Sequence, residues 1–143
     1  MKRIFLSILL QFSISHCFAQ TIEDTLEIKK QLATIFERDQ QPKKSNSSVQ
    51  QMITSDSVNL IELEEIISKY GWPEKSFVGA KGNNTVWLVI QHADLPVQLK
   101  YLPIHEHSIE IGESKAFDLA FLKDRIFMRQ DKKQLYGSQI SMN

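Results

Sequence analysis

The stretch "TVWLVIQHA", residues 85–93, decides the fold. Val86, Trp87, Val89 and Ile90 favour a strand by local propensity, because β-branched and aromatic side chains suit a pleated surface. The run is also the right length for a short, fully buried helix, and periodicity does not separate the two. It ends abruptly in Gln91-His92-Ala93-Asp94, which puts an imidazole and a carboxylate where the most apolar segment stops.

Downstream, Asp94 reads as the cap of a helix in which Pro96 occupies the first turn, where a proline costs nothing. That helix is expected to run to about Ile111 and stop at Gly112. A last helix is expected over roughly 115–130, followed by a non-helical tail, "DKKQLYGSQISMN". Upstream, "YGWPEKSFVGAKGNN" (70–84) reads as turn-rich, with Trp72 and Phe77 folding back onto the core. Before it, Leu60, Leu63, Ile66 and Ile67 mark a helix. Asn59 is its expected N-cap, Glu62 the acid of a capping box, and Gly71 its stop. The polar run 42–57 reads as a long surface loop. Residues 21–41 read as a first helix, with Ile22, Leu26, Ala33 and Phe36 on one face and Ile28, Leu32 and Ile35 on the next.

The N-terminus carries the pattern of an export signal. Lys2-Arg3 is followed by the apolar run Ile4–Ile14 and by Cys17-Phe18-Ala19, with small residues where a signal peptidase cuts. The expected organisation is a signal peptide over 1–19 and a single domain over 20–143, exported to the periplasm or secreted. The apolar run is too short and polar for a stable membrane span. Lipidation at Cys17 is the weaker alternative, since His16 stands where a small residue is wanted. Cleavage after Ala19 removes the only cysteine, so the mature chain has no disulfide or thiolate metal site. Losing Lys2 and Arg3 takes the 17 basic side chains to 15 against 17 acidic ones, a net charge of −2. That balance argues against nucleic acid and anionic membrane surfaces as partners.

Two polar residues stand out for their setting. In helix 115–130, Phe117, Ala120, Phe121 and Met128 fall on one stripe, and Asp124 occupies its i+7 position. A carboxylate there needs a partner, with His92 and a donor from the tail both available; otherwise it lies at the stripe edge and meets water. His92 has three readings: a satisfied core histidine, a helix C-terminal cation, or a general acid–base that needs a carboxylate and a cleft. The "HEH" at 105–107 lacks the spacing that puts two imidazoles on one helix face, so no metal site is expected there. No phosphate-binding glycine loop and no nucleophile elbow occurs, and no cofactor is implied.

Several short motifs occur in one order: "DQ" (39–40), "GWP" (71–73), Gly79, "WLVIQHAD" (87–94), Gln98, "LKDR" (122–125) and "YGSQ" (136–139). That order resembles the bacterial family catalogued as domain of unknown function 6624, over roughly residues 25–140. The resemblance implies a mainly helical domain, which favours helix at 85–93. It singles out by position Gln40, His92, Asp94, Gln98, Asp124, Arg125, Tyr136 and Gln139, and it implies no reaction. Ser138 stands where the family tends to have Thr.

The fold class expected is therefore mainly α: a small single-domain helical bundle with a long polar loop and a non-helical C-terminal tail. The first functional expectation is a binding or interaction module. Its polar cluster would recognise a small polar ligand or a protein partner, with Gln40, Gln91, Gln98, Tyr136 and Gln139 as candidate binding residues. The alternative is a hydrolase-like enzyme with His92 as general base, Asp94 or Asp124 orienting it, and Arg125 or Gln139 stabilising an oxyanion.

Overall fold

The computed structural model describes residues 22–41 and 48–139. The expected export signal over 1–19 and Cys17 lie outside these residues. The described residues form five helices and no strand. They are α1 (22–41), α2 (Val49–Tyr70), α3 (Lys75–His92), α4 (Leu95–Glu110) and α5 (Ala116–Arg129). No helix among them is long and apolar enough to cross a membrane.

The deciding stretch is helical: residues 85–92 form the second half of α3 and Ala93 caps it. Val86, Val89 and Ile90 are all buried. The preference of such residues against helix is worth about 0.5 kcal/mol each, while burying each side chain contributes about 1.5–3 kcal/mol. Packing therefore outweighs local propensity. α3 packs on α2, α4 and α5, and Gly82 brings it against α1. A Cβ on Gly82 would lie 2.9 Å from Val78 and 3.3 Å from Leu32, so only a bare backbone fits between them.

The core joins Ile28, Leu32 and Ile35 of α1, Leu63 and Ile66 of α2, Val86, Val89 and Ile90 of α3, Tyr101 of α4, and Leu122 and Ile126 of α5. Trp72 and Phe77 pack partly buried against it, as expected.

Four sequence expectations need correcting. First, the polar run does not stay a loop through residue 57. Ser48 caps α2 in a reciprocal box with Gln51, so 48–57 is mostly helix, and residues 42–47 lie outside the described part. Asn59 is then a buried mid-helix residue, not a cap. Second, residues 75–84 are helical apart from Gly79, whose φ of 81° interrupts α3. Third, α1 buries the face of Ile28, Leu32 and Ile35, whereas Ile22 and Leu26 are exposed. Fourth, α5 faces the core with Leu122 and Ile126, and Phe117 of the expected stripe is 65% exposed. The remaining boundaries hold: Asp94 caps α4 by accepting from Val97 N–H at 3.2 Å, and Gly71 ends α2 at a φ of 80°.

Candidate functional site

Polar residues expected to converge in one cluster are divided between two centres. Asp124 is completely buried in α5, as an acid in an apolar helix face demands a partner to be. Its partners are backbone donors of the tail. Leu135 N–H donates to Oδ1 at 2.6 Å, Tyr136 N–H at 3.0 Å, and Ser138 N–H donates to Oδ2 at 2.8 Å. Burial alone would raise the pKa of this carboxyl. The N–H groups of Ser138, Tyr136 and Leu135 outweigh that effect and hold it below its ordinary value. The tail needs this anchor because the α5 carbonyls satisfy the N–H groups of Gln130, Asp131 and Lys132 only, and residues 133–139 have no helical ladder beyond them. Gln139 finishes the clasp: its side-chain N–H reaches the Phe121 carbonyl at 3.1 Å, and its oxygen accepts from Arg125 at 3.0 Å. Gln134 donates to the Gln139 carbonyl at 2.9 Å and accepts from its N–H at 2.8 Å.

The second centre forms where three helices meet. His92 is the last residue of α3, and its Nδ1 lies 2.8 Å from Oδ1 of Asp39 on α1. A second carboxylate, Asp56 Oδ1 on α2, lies 3.6 Å from the same nitrogen. Asp39 is only 4% exposed, while the His92 side chain keeps 24% of its surface in solvent. Gln40 donates to the other oxygen of Asp39 at 2.5 Å. Nε2 of His92 has no hydrogen-bond partner among the described residues. Behind the centre, Arg38 bridges α1 to α2 by donating to Asn59 at 2.9 Å and pairing with Glu62 at 3.0 Å.

The electrostatics of this centre favour positive charge and hydrogen-bond donors. Two carboxylates sit together near the C-terminal ends of α1 and α3, where each helix dipole is negative. One atom each from Asp39, Asp56 and His92 lies within 4.8 Å of the others, so the three could also ligate a cation. The sequence pointed to no metal ligand, and it missed Asp56 because that residue lay in the presumed loop. A signal was present once α2 is extended to Ser48: Asp56, Asn59, Leu63 and Ile66 share one helical face.

The other sequence candidates divide between these centres or fall outside both. Asp94 caps α4 and does not orient His92. Asp124 does not orient it either, being held by the tail. Gln98 donates to the Gln91 carbonyl at 2.9 Å, and Gln91 reaches the Phe121 carbonyl at 3.5 Å, so both amides tie helices together. Tyr136 contributes its backbone N–H, while its side chain is exposed. In the "HEH" run, Glu106 pairs with Lys123 at 2.7 Å and His107 is exposed, while His105 is buried and neither ring nitrogen has a partner. Burial therefore depresses the His105 pKa to about 4.

The class of protein defined here is an all-α, single-domain bundle with one closed and one open polar centre. The chain belongs to a family of unknown function, DUF6624, whose model matches residues 16–143. No curated protein and no solved structure matches it.

Proposed function

We propose that this chain is a binding domain for a small polar ligand, and that the ligand is held at the Asp39–Asp56–His92 centre. The observation that carries the reading is the half-used imidazole: one ring nitrogen lies against a buried carboxylate, and the other has no partner among the described residues on a ring that solvent reaches. A ring nitrogen that faces solvent can be met by a ligand, whereas one bonded inside the fold cannot. Two carboxylates accept hydrogen bonds and repel anions, so the ligand is a cation or carries hydroxyl or ammonium donors. The test is a thermal-shift screen with magnesium, manganese and zinc salts, hexoses and amino acids, run on the wild type and on His92→Gln. One donor-rich or cationic class should raise the wild-type Tm by several degrees and leave the variant unmoved. A screen in which no such class acts, or in which both proteins respond alike, contradicts the reading.

A second reading has its own observation. Asp39 Oδ1 lies 2.8 Å from His92 Nδ1, the position from which a carboxylate could orient the imidazole of a general base and leave Nε2 to take a proton from water or a hydroxyl. It predicts hydrolysis that is lost in His92→Ala and reduced in Asp39→Asn across a pH–rate profile. The hydrolase reading from sequence thus keeps its base but exchanges its orienting acid.

Export belongs to the same proposal and is supported by the leader pattern of residues 1–19. N-terminal sequencing of the protein made with its full leader should begin at Gln20; an intact Met1 would refute it.

A further inference from the structure

A cavity of about 350 Å³ opens beside the tail, lined by Arg125, Met128, Arg129 and Gln139. Arg125 and Arg129 are i and i+4 on α5, so their side chains rise from the same face. Neither makes an ion pair with a carboxylate of the described residues. Arg125 donates one N–H to Gln139 Oε1 at 3.0 Å, and its Nε is buried without a partner. Arg129 donates to the carbonyl of Ala93, the residue that follows His92.

Two guanidiniums without a counter-ion are costly here. Like charges at this spacing repel, and Arg125 is half-withdrawn from water. Burial and the nearby Arg129 charge both act to lower the Arg125 pKa, yet a guanidinium keeps its proton, so the repulsion remains. The adjacent acid, Asp124, offers no relief because its oxygens are engaged by tail N–H groups. Arg129 has a partial local reason to be present, since it lies in the last turn of α5 where a cation suits the dipole. Arg125, a full turn earlier, gains nothing from that dipole, and its one side-chain partner among the described residues is the Gln139 amide oxygen. Gln139 holds Arg125 from one side and leaves its fork to be met by something else.

We infer that the Arg125–Arg129–Gln139 pocket is an oxyanion-binding site that takes a carboxylate or phosphate group, separate from the carboxylate-rich centre at His92. The chemistry of the pair is complementary to such a group: planar forked donors match paired oxygens and form charge-assisted hydrogen bonds. The opposite signs of the two sites exclude one another's ligands. The inference is independent of the ligand proposed for His92, because the residues differ.

The experiment is calorimetric titration of the full chain with inorganic phosphate and, separately, with acetate, against sodium chloride at matched ionic strength. Saturable one-to-one binding of phosphate or acetate, but not chloride, is expected, and whichever of the two binds identifies the group. Arg125→Gln and Arg129→Gln should each weaken it about tenfold or more, the loss of one charged donor. Lys133→Gln, which removes a nearby charge outside the pocket, should leave it unchanged within about twofold, as a screened surface charge would. Arg125→Lys guards against misfolding: it keeps the charge and should still lose affinity, because the fork is gone. Equal heats for chloride, no binding at all, or binding that survives both glutamine variants would overturn the inference.

Discussion

Asp124 and His92 are both polar groups at the edge of an apolar helix, and the fold treats them in opposite ways. Asp124 is sealed: three backbone N–H groups surround it and no water-facing valence remains. His92 is half-sealed: one ring nitrogen lies 2.8 Å from the buried Asp39, and the side chain keeps 24% of its surface in solvent. The Asp124 bonds are short-range in sequence, from residues 135–138, and they convert a tail without secondary structure into part of the domain. The His92 contacts come from two other helices, α1 and α2. The difference teaches that a polar group is structural where it is saturated and available where it is not.

The largest effect should come from deleting the tail after Lys133. It removes the three N–H donors that hold Asp124 together with the Gln139 clasp, a loss of about 3–5 kcal/mol. Adding Asp124→Leu to the deletion should recover part of that loss, because no charge is then left unpaired. Urea unfolding of the two proteins measures this, and a double variant no more stable than the deletion would break the account of the clasp.

His105 supplies a third case, a polar group that is buried and unsatisfied. Its folded pKa of about 4 lies below the ordinary 6.5, so the unfolded chain binds the proton more readily. The pH-linked part of its effect is therefore nil above pH 6.5 and grows as pH falls towards 4, to a further loss of roughly 3 kcal/mol beyond the constant cost of an unpaired buried imidazole. His105→Leu should be at least as stable as the wild type at pH 7.5, and its advantage should widen at pH 4.5. Parallel pH curves for the two proteins would show that the imidazole finds a partner.

A smaller loss, about 1–3 kcal/mol, is expected for Gly82→Ala. The change usually helps a helix, but here the new Cβ meets Val78 and Leu32 and pushes α3 off α1, the two helices that bring His92 to Asp39. A gain in Tm would mean that the two helices can part without cost, and the His92 geometry would then be loosely held.

Much of the fold was legible from sequence, and its failures have physical causes. The limits of α4 followed from Asp94, Pro96 and Gly112, because caps act through neighbouring backbone atoms. The start of α2 was misplaced because two capping boxes compete: Ser48–Gln51 and Asn59–Glu62 satisfy the same rule, and only the first is used. The wrong face of α5 was chosen because Phe117 and Phe121 are larger than Leu122 and Ile126, and size does not decide which side meets the core. For the site, a tail donor to Asp124 was among the expectations, since a buried acid must be satisfied nearby. That Asp39-Gln40 and His92 share a cluster was also among the expectations, but not that Asp39 would be the acid beside the ring in place of Asp94 or Asp124, because nothing local signals a pairing between the ends of α1 and α3. Arg129 was missed although its i, i+4 relation to Arg125, with no acid to match, is written in the sequence.

The most direct test sets the two centres side by side: the unfolding free energies of Asp124→Asn and His92→Gln in urea at pH 7.5. Asp124→Asn keeps the shape but loses the charge that three N–H groups converge on, and should cost about 2–4 kcal/mol. His92→Gln should cost under about 1 kcal/mol, as a half-open contact does. That gap is what the contrast between a closed and an open centre predicts. Equal losses would mean that His92 is as structural as Asp124, and the proposed binding centre would have to be given up.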